Sequence, residues 1–204
     1  MPNKKLKILA TGDIHGDTGL VKKLAKQAEK ENVDLVIITG DMTFFEDSTE
    51  NLIGPFLAKG KEVLILPGNH ESIATMDFLE HYYQNTKNMH GYSIEKGDVG
   101  IFGAGLADIG FTRVNDKQMF ELLKKAHEGI KNSKRKIMIT HMHPAGSLSE
   151  ASGFAGCEGI RKAIKKFKPE LHIHSHIHEA EGADETIDNT RVMNIGKKGK
   201  IIEI

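Results

Sequence analysis

The sequence predicts an α/β fold built on one mixed β-sheet or on two sheets. Short runs rich in Val and Ile recur along the 204-residue chain, and helical patterns lie between several of them. Nearly continuous apolar runs are typical of strands that are covered on both faces. Because strand and helix alternate in the first half, βαβ units with right-handed crossovers are expected there. No repeat or linker interrupts residues 1–204, which are therefore expected to form a single domain.

Apolar runs and turn residues define the predicted strands. Two pairs of short strands are expected to form hairpins, one across residues 92–102 with its turn at 96–98, and one across residues 191–204 with its turn at 196–199. These hairpins are the reason to expect a mixed sheet or a second sheet. The five main strands are expected at residues 7–11, 35–39, 63–67, 137–140 and 171–175.

Four segments carry apolar residues at the spacing of an amphipathic helix. Asp17 or Thr18 is expected to cap the first helix, and the last helix is expected to end before Pro169. The segment at residues 51–58 stays open between a short helix and a break, because a Gly-Pro pair interrupts it. The four predicted helices begin near residues 18, 72, 115 and 158.

The composition argues against several classes of protein. The 28 basic and 28 acidic residues cancel, which makes nucleic acid an unfavoured partner without removing it. No apolar run approaches the roughly 20 residues of a membrane span, and the N-terminus lacks the features of a signal peptide. A single cysteine, Cys157, rules out an intrachain disulfide and is interpreted as an inert thiol. We therefore expect a cytoplasmic protein that does not associate with membranes.

Each of the five main strands is followed by residues that can bind a metal ion. In α/β sheets, functional groups collect at the carboxyl ends of the strands. Where two such residues are two positions apart, an extended backbone would direct both to one side. The regular recurrence of the clusters predicts one shared site. The clusters are Gly12-Asp13-Ile14-His15-Gly16, Gly40-Asp41, Gly68-Asn69-His70-Glu71, His141-Met142-His143 and His176-Ile177-His178.

The chemistry of these side chains indicates a catalytic metal site. Carboxylates, imidazoles and one amide, without a thiolate motif, suit Mn, Fe, Co, Ni or Zn in a catalytic site rather than a closed structural zinc site. The candidates are too many for one ion and a suitable number for two. Two ions about 3.5–4 Å apart can hold a phosphoryl group and acidify a water molecule between them.

Taken in order, the motifs G-D-x-H-G, G-D, G-N-H-E, H and H-x-H across residues 12–178 resemble those of the calcineurin-like metallophosphoesterase superfamily. The resemblance implies a four-layer α/β/β/α sandwich, in which helices flank two mixed β-sheets and a dinuclear centre lies between the loops of the sheets. The implied ligands are Asp13, His15 and His178 for the first metal, Asn69, His141 and His176 for the second, and Asp41 as a bridge between them.

The resemblance also implies a mechanism. His70 would stabilise the phosphate or protonate the leaving group, while a metal-bridging hydroxide attacks in line with the departing oxygen. The cofactors would be two divalent transition-metal ions, with Mn favoured over Fe, Zn, Ni or Co. Glu71 and Asp17 are interpreted as residues that orient the ligands. The family commonly has Gly before the last H-x-H motif, where this sequence has Ser175, whose small side chain is expected to preserve the ligand geometry.

The residues are consistent with three functions, of unequal weight. The leading one is a phosphoesterase that acts on a phosphodiester or a small phosphomonoester rather than on a protein, because 204 residues leave little room for further domains. A non-catalytic scaffold of the same fold is disfavoured, because every implied ligand and His70 are present. A nuclease would need a basic track, for which only the lysines of the first helix and of residues 197–200 are available. The sequence leaves open whether the protein is a monomer or a homo-oligomer.

Specificity is expected from the least patterned segments, which would form the walls of the substrate pocket. His143 is interpreted with equal weight as a contact to substrate or ligands and as an exposed loop residue. Arg113 is interpreted as a surface residue in preference to a phosphate contact. For His172 and His174, packing or the orientation of metal ligands is expected rather than direct metal binding. The three unpatterned segments are residues 42–50, 105–116 and 143–157.

Overall fold

The computed structural model, which describes residues 5–204, contains two mixed β-sheets. The first sheet consists of β1 (Lys7–Thr11), β2 (Leu35–Ile38), β3 (Glu62–Ile65), β4 (Thr86–Asn88) and β11 (Lys200–Glu203), in the order β11-β1-β2-β3-β4. The second consists of β5 (Tyr92–Lys96), β6 (Val99–Ala104), β7 (Arg135–Thr140), β8 (Leu171–His174), β9 (Asp184–Ile187) and β10 (Thr190–Asn194), in the order β5-β6-β7-β8-β10-β9. Neighbouring strands are parallel except at β11, β5 and β9, which lie antiparallel at sheet edges.

Helices cover the outer faces of both sheets. The carboxylate of Asp17 caps the first helix by accepting a hydrogen bond of 2.8 Å from the amide of Leu20. Within residues 5–204, no helix combines the length and the apolar character that crossing a lipid bilayer requires. The helices are α1 (Thr18–Lys30), α2 (Gly54–Leu57), α3 (Ile73–Tyr82), α4 (Asp116–Glu128) and α5 (Glu158–Phe167), with short 3-10 helices at Leu148–Ser152 and His178–Ala180.

Three apolar cores separate four layers. Ile37 of β2 and Ile139 of β7 belong to the core between the two sheets. Leu24 of α1 belongs to the core on the outer face of the first sheet, and Leu123 of α4 and Ile160 of α5 belong to the core on the outer face of the second. Because the central strands are covered on both faces, they appear in the sequence as continuous apolar runs. The predicted α/β/β/α sandwich is confirmed.

The hairpin predicted across residues 191–204 is wrong. β10 pairs with β8 and β9 in the second sheet, whereas β11 pairs with β1 in the first, so residues 196–199 cross from one sheet to the other. Met193 of β10 and Ile202 of β11 both belong to the core between the sheets. Each strand therefore buries apolar area against this core while it pairs with its own sheet. The hairpin predicted across residues 92–102 is confirmed as the antiparallel pair of β5 and β6.

The topology brings the ligand-bearing loops to one end of the sandwich. The loops after β1, β2 and β3 belong to the first sheet, and the loops after β7 and β8 belong to the second. The two sets of loops are in direct contact, since the hydroxyl groups of Thr39 and Ser175 lie 3.0 Å apart. A site shared by both sheets follows from this arrangement.

Candidate metal centre

Left-handed turns, rather than extended strands, carry several of the predicted ligands. Asp13, His15, Asp41 and His176 have φ angles of 51°, 48°, 48° and 72°. The expectation that an extended backbone directs the paired residues to one side is therefore wrong. Positive φ is uncommon outside glycine and costs of order 1–3 kcal/mol per residue unless the surroundings stabilise it. The concentration of such residues here marks the strand ends as a functional region.

The first group of ligand atoms comes from Asp13, His15 and His178, which lie close enough together to hold one metal ion. The Nε2 atoms of His15 and His178 are 3.2 Å apart, and the Nε2 atom of His178 lies 3.8 Å from Oδ2 of Asp13. The backbone amide of His176 donates to both carboxylate oxygens of Asp13, at 3.2 and 3.1 Å. This contact fixes the orientation of the buried carboxylate.

The second group comes from Asp41, His141 and His176, which could likewise hold one ion. Nε2 of His141 lies 3.0 Å from Nδ1 of His176 and 3.5 Å from Oδ2 of Asp41. The amide oxygen Oδ1 of Asn69 lies 3.0 Å from the same Nε2 atom. All seven residues predicted as ligands therefore lie in these two groups or, for Asn69, in contact with the second.

The hydrogen bonds around His141 determine which of its nitrogen atoms is free. Nδ1 lies 2.9 Å from the carbonyl oxygen of Thr39, which can only accept, so Nδ1 donates. In the neutral ring Nε2 therefore carries a lone pair, and this lone pair faces the amide oxygen of Asn69. When the ring is neutral, two acceptors face each other, and either a proton on Nε2 or a metal ion between them stabilises the pair. Nitrogen and oxygen donors of this kind suit a divalent transition-metal ion.

Burial and mutual attraction set the charges in this region. Burial opposes charge on His141, but the Asp41 carboxylate outweighs that effect and raises the pKa of the histidine to about 9. Although burial alone would raise the pKa of Asp41, His141 holds it well below its usual range. Burial lowers the pKa of His176 to about 3. Asp41 is therefore ionised and His176 neutral near pH 7, and a metal ion would displace the proton from His141.

Asp41 lies between the two groups. Its Oδ2 atom is 3.5 Å from Nε2 of His141 in the second group and 4.0 Å from Nε2 of His15 in the first. The buried Glu71 carboxylate accepts hydrogen bonds from the amides of Asp41 at 3.0 Å and Gly68 at 2.8 Å. Glu71 thus joins the loops after β2 and β3, in agreement with its predicted orienting role. Asp17, the other residue interpreted in this way, caps α1 instead.

His70 lies beside Asp41 and is held by the loop after β2. Its backbone amide donates to Oδ1 of Asp41 at 3.0 Å, and its Nε2 atom lies 3.8 Å from Oδ2 of the same carboxylate. The backbone amide of Phe45 donates to Nδ1 at 3.4 Å, so the neutral ring carries its proton on Nε2. His70 also forms a third potential ion-binding group with His15 and Asp41. Distance alone therefore does not separate this histidine from the ligands.

The Ser175 side chain supports the histidine next to it in space. Its hydroxyl donates to the carbonyl oxygen of Thr39 at 3.1 Å and lies 3.3 Å from Nδ1 of His141. A Cβ atom at Gly12 would lie 2.5 Å from this hydroxyl oxygen, so the glycine provides the space for the serine. The left-handed backbone falls on His176 and not on Ser175. The serine therefore fits without disturbing the ligands.

Two of the histidines outside the predicted ligand set are buried beneath the site. Nε2 of His172 lies 2.7 Å from the hydroxyl of Thr140, and the rings of His172 and His174 are 5.4 Å apart. His143 is also buried, and its Nε2 atom donates to the carbonyl oxygen of Phe154 at 3.2 Å. The interpretation of His143 as an exposed loop residue is therefore wrong. Arg113 lines a separate cavity that contains none of the predicted site residues.

Cys157 is buried at the start of α5, and we expect it to react slowly. Burial raises the pKa of its thiol to about 12, so very little thiolate exists near pH 8. Iodoacetamide should alkylate the native protein at least about a hundredfold more slowly than the unfolded chain. Mass spectrometry of samples quenched over time, with and without denaturant, measures both rates. Equal rates would show that the thiol is accessible and ionised in the native state.

Comparison with known proteins identifies the family. The model of the calcineurin-like phosphoesterase family matches residues 6–180. The chain belongs to this family, and its membership supports a hydrolase that binds divalent metal ions. No curated protein is similar enough in sequence to match.

Solved structures share the fold at low sequence identity. Protein TT1561 of Thermus thermophilus has a TM-score of 0.78 and 17% identity over 98% of this chain and 99% of its own. A dimetal phosphatase from Danio rerio has a TM-score of 0.68 and 12% identity over 93% of this chain and 86% of its own. A phosphodiesterase described as archaeal has a TM-score of 0.56 and 17% identity over 97% of this chain and 99% of its own. At these identities the similarity establishes the fold.

Proposed function

We propose that this protein is a metal-dependent phosphoesterase that uses two divalent transition-metal ions to hydrolyse a phosphodiester or a small phosphomonoester. The position of Asp41 carries the proposal, because its carboxylate lies within 4.0 Å of a ligand atom in each of the two groups. Names of two proteins with the same fold, a dimetal phosphatase and a phosphodiesterase, agree with this chemistry.

The residues divide between two ions in the proposed enzyme. When bound, such ions acidify a water molecule and offset the charge that develops on the phosphoryl oxygens. Manganese is the favoured metal, and the nitrogen and oxygen ligands also suit Fe, Co, Ni or Zn. Asp13, His15 and His178 would hold one ion, Asn69, His141 and His176 the other, and Asp41 would contact both.

His70 would supply a proton to the reaction. Its Nδ1 atom accepts from the amide of Phe45, so the proton of the neutral ring is on Nε2, the atom that faces Asp41. A phosphoryl group seated between the two ligand groups would bring the departing oxygen within reach of this N–H group. In this role His70 stabilises the leaving oxygen by hydrogen bonding and proton transfer.

Removal and return of metal test the proposal. Protein stripped of metal with a chelator should lose hydrolysis of p-nitrophenyl phosphate and bis(p-nitrophenyl) phosphate, and Mn²⁺ should restore it. Elemental analysis of the active protein should find two ions per chain, and the Fe, Co, Ni and Zn forms should be assayed alongside. A folded protein that holds two ions and hydrolyses neither ester would contradict the proposal and favour a non-catalytic role.

A further inference from the structure

A cavity of about 330 Å³ opens beside the two ligand groups. His176 and His178, one from each group, line part of it. Ile109, Met142 and Phe154 give it apolar walls. A phosphoryl group bound between the ligand groups would therefore direct one of its substituents into an apolar space.

The charged groups of this cavity are acidic. Asp108 and Glu179 line it, and among residues 5–204 neither Lys nor Arg does so. A second phosphate or a carboxylate in this space would meet like charge from Asp108 and Glu179, and no lysine or arginine of the described residues lines the cavity to offset it. The cavity therefore suits an uncharged organic group.

A second apolar surface lies on the His70 side of the site. Phe44, Phe45 and Phe111 are all exposed there, and an exposed cluster of large apolar side chains commonly marks a binding surface. The ring of Phe45 lies 4.0 Å from the ring of His70 and 5.7 Å from the ring of Phe111. His70 does not line the cavity. The site thus offers one apolar surface next to His70 and another next to His176 and His178.

We propose that the substrate is a phosphodiester whose two ester groups are uncharged, and that the cavity binds the ester group that stays on phosphorus. This inference rests on the proposed function and adds the substrate class. Water forms the new P–O bond, and the P–O bond on the His70 side breaks with its electron pair leaving on oxygen. That oxygen takes the proton from Nε2 of His70, and the proton of the attacking water restores it. The products are an alcohol and a phosphomonoester.

Shape and polarisability favour an aromatic ring as the retained group. Ile109 and Phe154 are both exposed and both line the cavity, so their side chains are available to pack against a flat ring. Aromatic rings gain from contact with other aromatic side chains beyond the area that they bury. A phosphomonoester would leave this cavity without an occupant, so the diester should be the better substrate.

Two diesters with the same leaving group test the cavity. Bis(p-nitrophenyl) phosphate retains an aryl group after hydrolysis, whereas methyl p-nitrophenyl phosphate retains a methyl group. Phe154→Ala and Ile109→Ala should each lower kcat/KM for the aryl diester about tenfold and change it for the methyl diester less than about twofold. Comparing each variant with the wild type cancels the intrinsic difference in reactivity between the esters. Phe78→Ala, which removes an equally exposed ring from α3, is the matched control and should change neither value.

Charge and binding provide independent readouts. A diester whose retained group is an anionic 4-carboxyphenyl group should have a lower kcat/KM than the uncharged aryl diester. The double substitution Asp108→Asn with Glu179→Gln should make this difference in kcat/KM smaller. Calorimetry with the metal-loaded protein should show tighter binding of diphenyl phosphate than of dimethyl phosphate, and Phe154→Ala should remove the difference. Hydrolysis of both diesters with a ratio that the cavity variants leave unchanged would overturn this inference and keep the proposed function. Absence of hydrolysis of every ester would overturn the proposed function and this inference with it.

Discussion

Replacing Asp41 with Asn is expected to lower kcat/KM for metal-dependent phosphoester hydrolysis by more than about a hundredfold, since changes to residues that merely orient ligands already cost roughly 10- to 100-fold. The Asp41 carboxylate lies 3.5 Å from His141 of one ligand group and 4.0 Å from His15 of the other. An amide offers no negative charge to share between two ions. Elemental analysis should therefore find fewer than two ions per chain.

Asp17→Asn is the matched control for Asp41→Asn. It makes the same change of charge at the cap of α1, where asparagine caps as well as aspartate. This variant should keep the wild-type metal content and kcat/KM, while circular dichroism checks that both variants are folded. Retention of two ions by Asp41→Asn, with kcat/KM within tenfold of the wild type, would contradict a bridging role for Asp41.

Replacing Gly68 with Ala is expected to displace the same carboxylate without removing it. A Cβ atom at Gly68 would lie 2.0 Å from Oδ1 of Asp41 and 2.4 Å from its backbone nitrogen. Overlap of this size must be relieved by movement of the loop after β2, at a cost of about 1–3 kcal/mol in the free energy of unfolding. Misplacement of a ligand by about 1 Å can lower the rate about a hundredfold. Urea unfolding and kcat/KM measure the two effects.

Gly54→Ala is the control for Gly68→Ala. A Cβ atom at Gly54, the first residue of α2, has no neighbour within 4 Å outside the two adjacent residues and the backbone of the helix. This variant should retain the metal affinity and activity of the wild type, while the alanine Cβ beside Pro55 in a helical conformation should cost some stability. If Gly68→Ala bound two ions with wild-type affinity, close packing of the loops after β2 and β3 would not be what positions Asp41.

The parts of the fold that could be predicted are those with a strong hydrophobic pattern. The strands that end near Thr11, Ile38 and Thr140 are apolar on both faces and stand out in the sequence. β9 (Asp184–Ile187) was not predicted because it is an edge strand with mostly polar residues. The wrong prediction of a hairpin across residues 191–204 has a different cause. Turn residues show that the chain changes direction, but they do not show which sheet the next strand joins.

The candidate site was predictable in its members and not in its geometry. Asp13 and His176 could be identified from the strand ends that they follow, but their left-handed backbone could not, because the turns are stabilised by contacts between distant loops. Ile109 lies within residues 105–116, one of the segments expected to form the pocket walls, whereas Glu179 lies outside all three of those segments. The sequence does not show that the two residues meet, because neither segment has a spacing pattern and only the stacking of the two sheets brings them to one cavity.

The crossing of residues 196–199 between the sheets has a mechanical consequence. The amide of Gly12, next to the ligand Asp13, donates to the carbonyl oxygen of Gly196 at 2.9 Å, so this covalent connection passes beside the site. The proposed ligands Asp13 and Asp41 follow strands of the first sheet, whereas His141 and His176 follow strands of the second. Bound ions would therefore act as cross-links between the two halves of the sandwich. Separating the sheets would require both the loss of the ions and the unravelling of the last strand.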